Sequence, residues 1–178
     1  MPVSSPFGKP ELSSWLIEHV GSGANRYVLD VGPGQAMLST RLRKAGALGN
    51  AIWVGLEIWA PYIRKFGLAR LYAAVMVGDV RFYRWETFPN YLVTFLGDVL
   101  EHMPADDAIQ VVAAARAHSD YVVCCFPTSP VKSADNENPF DDHVVDCYAL
   151  AMAIGMFGEP VWQYDEHGAG ILILEGTR

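Results

Sequence analysis

The chain has 178 residues, 51% of them hydrophobic and 19% charged, which suits one soluble domain with a substantial core and leaves too little for two ordinary ones. Its formal net charge is −7, and the densest basic stretch, RLRKAG, fits the solvated face of a single helix. That balance excludes nucleic acid and anionic membrane surfaces as expected partners. The N-terminus lacks the basic start and apolar run of a signal peptide, and the longest uncharged apolar stretch, CYALAMAIGMFG, is too short to span a bilayer. A cytoplasmic location without membrane attachment is the expectation.

ELSSWLIEHV opens the chain as a helix with Leu12, Trp15, Leu16 and Val20 on one face, within an N-terminal helix region of residues 1–24. YVLDV follows as a short buried strand, and GPGQA turns into a helix, MLSTRLRKAG, with Leu38, Leu42 and Ala45 inward and Gly46 as its stop. AIWVGLE is a second strand, with a helix starting near Pro61, and AAVMVGD and YLVTFLGD are the third and fourth strands. ADDAIQVVAAARAH is a helix with Ile109, Val112, Ala113 and Arg116 along one stripe. YVVCCF is the fifth strand. Its adjacent Cys124 and Cys125 point to opposite faces, and with Cys147 they form no metal-type spacing, so reduced thiols are expected. A long loop then leads to a helix over VVDCYALAMAIGMF, and EPVWQYD and AGILILEG close the chain as a hairpin.

Nearly continuous apolar strands separated by helices indicate a parallel sheet covered on both faces. The expected fold is α/β: a doubly wound, Rossmann-like, seven-stranded sheet, mostly parallel, with an antiparallel C-terminal hairpin, all in one domain over 1–178. Ligands of such sheets bind outside the carboxyl ends of the strands. Four acids stand there: Asp30, Glu57, Asp79 and Asp98. Gly32 and Gly34 allow close backbone approach after the first strand, yet Met37 breaks the dinucleotide spacing G-x-G-x-x-G, which argues against a nicotinamide-dependent oxidoreductase. Glu57 is placed to accept from two ribose hydroxyls, Asp79 from an adenine amino group, and Asp98 lies beside the reactive end of the cofactor. The cofactor set read this way is Asp30, Gly32, Pro33, Gly34, Glu57, Ile58, Asp79, Val80 and Asp98.

From about Tyr27 onward the chain resembles the class I S-adenosylmethionine-dependent methyltransferases. LDVGPGQA matches the glycine-rich motif, VGLE the ribose acid, VGDV the adenine acid and GDVLEHM the fourth-strand motif, with Ala36 where the pattern often has glycine. The resemblance implies S-adenosylmethionine as cofactor, S-adenosylhomocysteine as product, and transfer to an oxygen or nitrogen of a small-molecule or sugar-like (glycan) acceptor. It also makes the loop of residues 127–143, PTSPVKSADNENPFDDH, a cover for the active site, since NENPFDDHVVDCY resembles an asparagine-proline-acid-histidine pattern of bacterial members. Asp98, His102 and His143 become the catalytic candidates, with neighbouring acids expected to raise the histidine pKa. Phe7, Trp59 and Phe140 are candidates for lining the opening, and His19, His118 and His167 are assigned to surface or packing roles.

Two alternatives accompany that reading. The small-RNA 2′-O- and ubiquinone-pathway O-methyltransferases carry an acid-x-x-Glu-His motif that binds a divalent metal. By that resemblance Asp98, Glu101, His102 and His143 would form a metal site here, although no resident metal is the primary expectation. A non-catalytic module that binds S-adenosylmethionine is the other. An open site without an inserted cap also admits a lid donated by a second subunit, so a homodimer is compatible with the sequence.

Overall fold

The computed structural model describes residues 6–87, 90–130 and 138–177. Its elements in chain order are α1 (Lys9–His19), β1 (Tyr27–Val31), α2 (Met37–Lys44), β2 (Ile52–Glu57), α3 (Ala60–Lys65), β3 (Ala74–Val77), β4 (Tyr91–Gly97), α4 (Ala105–His118), β5 (Ser119–Pro127), α5 (Leu150–Phe157), β6 (Trp162–Glu166) and β7 (Ala169–Glu175). The strands form one seven-stranded sheet in the order β3-β2-β1-β4-β5-β7-β6. The first five strands pair in parallel, and β7 enters antiparallel between β5 and β6. The doubly wound architecture with a reversed terminal hairpin is therefore present. No helix among the described residues is long and apolar enough to cross a membrane.

Alternation along the strands builds two cores. Leu29, Val31, Val54, Leu56, Leu96 and Cys124 face the side covered by α4 and α5, whereas Val28, Trp53, Val93, Phe95 and Cys125 face α1 and α2. Because both faces are covered, the strands show little polar-apolar alternation in sequence. Cys124 and Cys125 are buried on opposite sides as free thiols.

Three local expectations are corrected. In α2, Leu38, Ser39 and Leu42 are buried while Ala45, its C-cap, is exposed. In α4 the inward stripe is Ala108, Val111, Val112 and Ala115, and Ile109 is 38% exposed. The two alanines let that helix approach the sheet closely, so the helix face is set by small residues instead of by its largest aliphatic. Residues 144–149 are not helical. The amides of Val144 and Val145 donate to the Glu101 carbonyl, and Tyr148 N–H donates to Pro127 O, which takes them out of any i→i−4 ladder.

Among the described residues between β3 and β4 there are two 3-10 turns, Val80–Phe82 and Trp85–Thr87. Beyond β4 a further 3-10 turn, Leu100–His102, precedes α4. Chain order reverses direction between β1 and β4, the switch point where a crevice opens.

Candidate active site

A cavity of about 290 Å³ lies at the carboxyl ends of β1, β2 and β4. The structure brings Asp30, Gly32, Pro33, Gly34, Glu57, Ile58, Asp79, Val80 and Asp98 all to its wall, together with His102. Gly32 has φ +61°, and a Cβ there would meet Val99 Cγ2 at 2.7 Å. Gly34 also has positive φ, with no atom nearer than 3.9 Å to a built Cβ, so the turn leaves open space beside its backbone. Ala36 occupies the left-handed region at φ 56°, which explains why glycine is common at that position of the motif.

Glu57 is 2% exposed and braces the turn: its Oε1 accepts from Trp59 N–H at 2.9 Å and its Oε2 from Gly34 N–H at 3.3 Å. Burial raises its pKa, and those two amides pull the other way. Asp30 accepts from the Tyr72 hydroxyl at 2.5 Å, and Tyr72 in turn meets Ser39 Oγ at 2.6 Å. Burial pushes the Asp30 carboxyl up to about 6 despite these bonds. Asp79 caps the turn that follows it, accepting from Arg81 N–H at 2.9 Å and pairing with the Arg81 guanidinium at 2.5 Å. Burial would raise Asp79, but the bonds from Arg81 hold it below the usual carboxylate range. The same arginine reaches Asp107 at 3.4 Å.

Asp98 follows β4 with φ +54°, its amide donates to Cys125 O, and its buried Oδ2 has no hydrogen-bond partner. Glu101, also 2% exposed, likewise has an unpartnered Oε2; burial first and then the Asp98 charge raise its pKa well above the usual value. His102 turns Nδ1 to the Asp142 carbonyl at 3.1 Å. A carbonyl only accepts, so Nδ1 carries the proton and Nε2 keeps its lone pair. The His143 ring stands edge-on to His102 at 4.9 Å between centroids, with its buried Nδ1 unpartnered. Ligating atoms of Glu101, His102 and His143 lie within 4.8 Å of one another, and Asp98 is outside that group.

Three expectations change here. Burial lowers the His102 pKa, with the neighbouring His143 acting the same way, and this outweighs the Asp142 carbonyl and the acids. His143 and Glu101 cluster with His102 and do not line the cavity. Of the three aromatic candidates, only Phe140 lines it; Phe7 packs on His167 and Trp59 stands edge-on to Tyr62.

The loop after β5 reaches the same cavity through residues 138–142, while its residues 131–137 lie outside the described ones. Asn138 Oδ1 accepts from Phe140 N–H at 3.0 Å, and its Nδ2 donates to Asp141 Oδ1 at 2.7 Å. Tyr62 of α3 donates to the other Asp141 oxygen at 3.1 Å, and burial with the Asp141 charge pushes the Tyr62 hydroxyl up to about 12. Sequence reasoning missed Tyr62 and Tyr72, and it reached Asn138 and Asp141 only as part of the loop pattern NENPFDDH. The Asn-Pro-x-Asp turn carried a readable local signal. The others act through tertiary contacts that no local spacing reports.

No protein-family model and no curated protein matches the chain. Among solved structures it is similar to the magnesium protoporphyrin IX methyltransferase ChlM of Synechocystis PCC 6803 with bound S-adenosylmethionine, at 18% identity and TM-score 0.62 over 95% of this chain and 78% of that one. The N-terminal domain of EvdMO1 with bound S-adenosylhomocysteine gives 12% identity and TM-score 0.63 over 97% and 82%. The pyocyanin biosynthetic protein PhzM gives 15% and 0.65, and there the chain spans 55% of its relative's length. Topology, switch-point cavity and these likenesses agree: the chain has the fold of the class I S-adenosylmethionine-dependent methyltransferases.

Proposed function

We propose that this protein is an S-adenosylmethionine-dependent methyltransferase acting on an oxygen or nitrogen of a small-molecule or sugar-like acceptor. The observation that carries the proposal is the convergence of the glycine turn, Glu57, Asp79 and Asp98 on the one cavity that His102 also faces. The residues fit the cofactor: an open backbone cradle at Gly34, and a buried Glu57 carboxylate suited to accepting from ribose hydroxyls. Asp79 and Val80 would flank the adenine, and Asp98 the donor end. When bound, the cofactor supplies a methyl group on a sulfonium that leaves as a neutral thioether.

What remains for the chain is to align the acceptor, exclude water and remove one proton. His102 is suited to that last task. Its depressed pKa keeps the ring neutral near pH 7, and the proton released by the acceptor moves to Nε2 while Nδ1–H holds the Asp142 carbonyl. Asp98, on the wall of the same cavity, carries negative charge that favours the resulting imidazolium.

A second reading is favoured by one cluster. Glu101 Oε2 and His143 Nδ1 are buried and unpartnered, and with His102 they form an N2O donor set of a kind that takes a divalent transition ion. In that reading His102 is a ligand, and the ion would lower the pKa of an acceptor hydroxyl.

Calorimetry with S-adenosylhomocysteine tests the cofactor, and labelled methyl transfer to panels of alcohols, amines and glycosides tests turnover. Transfer that is indifferent to a chelator supports His102 as the base; loss with chelator and return with manganese or magnesium supports the metal. Binding without transfer to any acceptor would leave a non-catalytic module. Absence of binding overturns all three.

A further inference from the structure

Asp79 is a wall residue whose hydrogen-bonding capacity is already filled. An ionised carboxylate offers about four lone-pair sites, two on each oxygen. Oδ1 accepts from Arg81 backbone N–H at 2.9 Å and from Arg81 Nε–H at 3.0 Å. Oδ2 accepts from the same Nε–H at 3.0 Å and from Arg81 Nη2–H at 2.5 Å. The short spacing makes this possible: Asp79 caps the turn Val80–Phe82, and the side chain at its second position folds back onto the cap. Nη1 of the same guanidinium donates elsewhere, to Asp107 Oδ2 in the first turn of α4 at 3.4 Å.

Asp79 and Arg81 both line the cavity. An adenine amino group that donates to Asp79 therefore meets a carboxylate saturated by its own neighbour, and the two donors exclude each other. Asp107 resolves the conflict. An arginine that leaves Asp79 already has one N–H on Asp107, so it can close on that carboxylate and is not left unpaired. The backbone N–H of Arg81 needs no such move, and the turn keeps its cap while two lone pairs on Oδ2 and one on Oδ1 come free. The side chain of Asp79 is 18% exposed and that of Asp107 38%, so the exchange moves the guanidinium towards water and leaves the drier acid to the ligand.

We infer that Arg81 is a positioning residue that competes with the adenine amino group for Asp79, with Asp107 as its alternative partner, and so sets how tightly the site holds its nucleoside ligands. The inference rests on the methyl-transfer reading above and deepens it. Cofactor and product share the adenine, so the competition raises both dissociation constants together and leaves their ratio unchanged. A guanidinium acting only through its charge would behave differently, because it would oppose the sulfonium of the cofactor and spare the neutral thioether of the product.

The test is calorimetry on the full chain with S-adenosylhomocysteine and with S-inosylhomocysteine, its deaminated form, which has a carbonyl in place of the adenine amino group. Arg81→Met removes the guanidinium and keeps an unbranched stem. Its Kd for S-adenosylhomocysteine should fall roughly 2–5-fold, the scale of a partly exposed ion pair, and its Kd for S-inosylhomocysteine should not fall. Arg81→Lys keeps the charge but cannot bridge both oxygens, so its affinity should lie between the two. Asp107→Asn removes the alternative partner and should weaken S-adenosylhomocysteine binding roughly 2-fold in wild type, with no effect in Arg81→Met. A merely structural role would move both ligands, or both backgrounds, alike. Should Arg81→Met fail to fold, Arg81→Leu carries the same comparison. Unchanged or weaker S-adenosylhomocysteine binding in the folded variant overturns the proposal, as does an equal gain for the deaminated ligand or an Asp107→Asn effect that persists without Arg81. Wild type that binds neither S-adenosylmethionine nor S-adenosylhomocysteine is a different result: it removes the methyl-transfer reading itself, and this inference with it.

Discussion

Asp30 should leave a measurable mark on how stability varies with pH. Its carboxyl is 3% exposed, bonded to Tyr72 and close to Ser39, with Arg43 and Lys9 as the nearby cations. Burial outweighs these favourable contacts and moves it from 3.8 to about 6. At about 1.4 kcal/mol per tenfold in acidity, ionising Asp30 costs ~3 kcal/mol more in the folded chain than in the unfolded one. An acid raised in the folded state favours folding while protonated. That contribution is whole below about pH 4 and is lost as pH rises through about 6. Urea unfolding of wild type and Asp30→Asn from pH 4 to 8 reads it, because subtraction removes Glu101, raised by burial, and Asp79, lowered instead, and keeps of Glu57 only the small part that the Asp30 charge itself raises. The wild-type stability, measured relative to Asp30→Asn, should fall by ~2.5 kcal/mol across the window and then level. Tyr72→Phe removes a hydrogen bond that lowers the Asp30 pKa, so the descent should move to higher pH. A difference curve that stays flat from pH 4 to 7 would refute the reasoning.

Three further expectations follow from the same wall. Glu57→Ala should weaken S-adenosylhomocysteine binding by about 1.5–3 kcal/mol, the scale of hydrogen bonds to a charged acceptor, and unchanged affinity by calorimetry would remove Glu57 from the ribose. If residues 127–143 cover the site, S-adenosylhomocysteine should slow hydrogen exchange there, and Tyr62→Phe should speed it at 138–142 by releasing Asp141; equal exchange with and without ligand would make the loop a passive connection. Gly32→Ala should destabilise by roughly 1–3 kcal/mol in thermal unfolding, since its φ is positive and the added Cβ would meet Val99; a melting temperature equal to wild type would mean that the turn relaxes freely.

The sheet and the cavity wall were legible because each depends on local pattern. Four apolar strands, β1 to β4, each with an acid or glycine at its end or within two residues of it, fix where a parallel sheet must turn over to its ligand side, and β1, β4 and α4 stand where the sequence put them. The helical face of α4 was misread because bulky Ile109 was given the core, when close packing on the sheet selects Ala108 and Ala115. Residues 144–149 looked helical from apolar content alone, but their amides are spent on Glu101 and Pro127, partners far away in sequence. His102 was misjudged for a related reason. Counting nearby acids predicts a raised pKa, and only the fold reveals how far the ring is desolvated. The burial of Lys9 in α1 was invisible for the same reason: nothing in KPELSSWL says that its first residue turns inward.

The reversed hairpin has a consequence for how the molecule is made. β5 sits inside the sheet only because β7 pairs along its whole length, Tyr121 opposite Glu175 through Pro127 opposite Ala169. A nascent chain that has emerged only as far as Glu166 already holds every residue of the wall from Asp30 to Asp98, yet one side of β5 is bare and offers unpaired amides to any neighbouring strand. Complete folding thus waits for the final strand to leave the ribosome and slide between two strands made earlier. Until then the half-built sheet is a substrate for chaperones, and a stop codon ahead of residue 169 should yield aggregates and not a weakened enzyme.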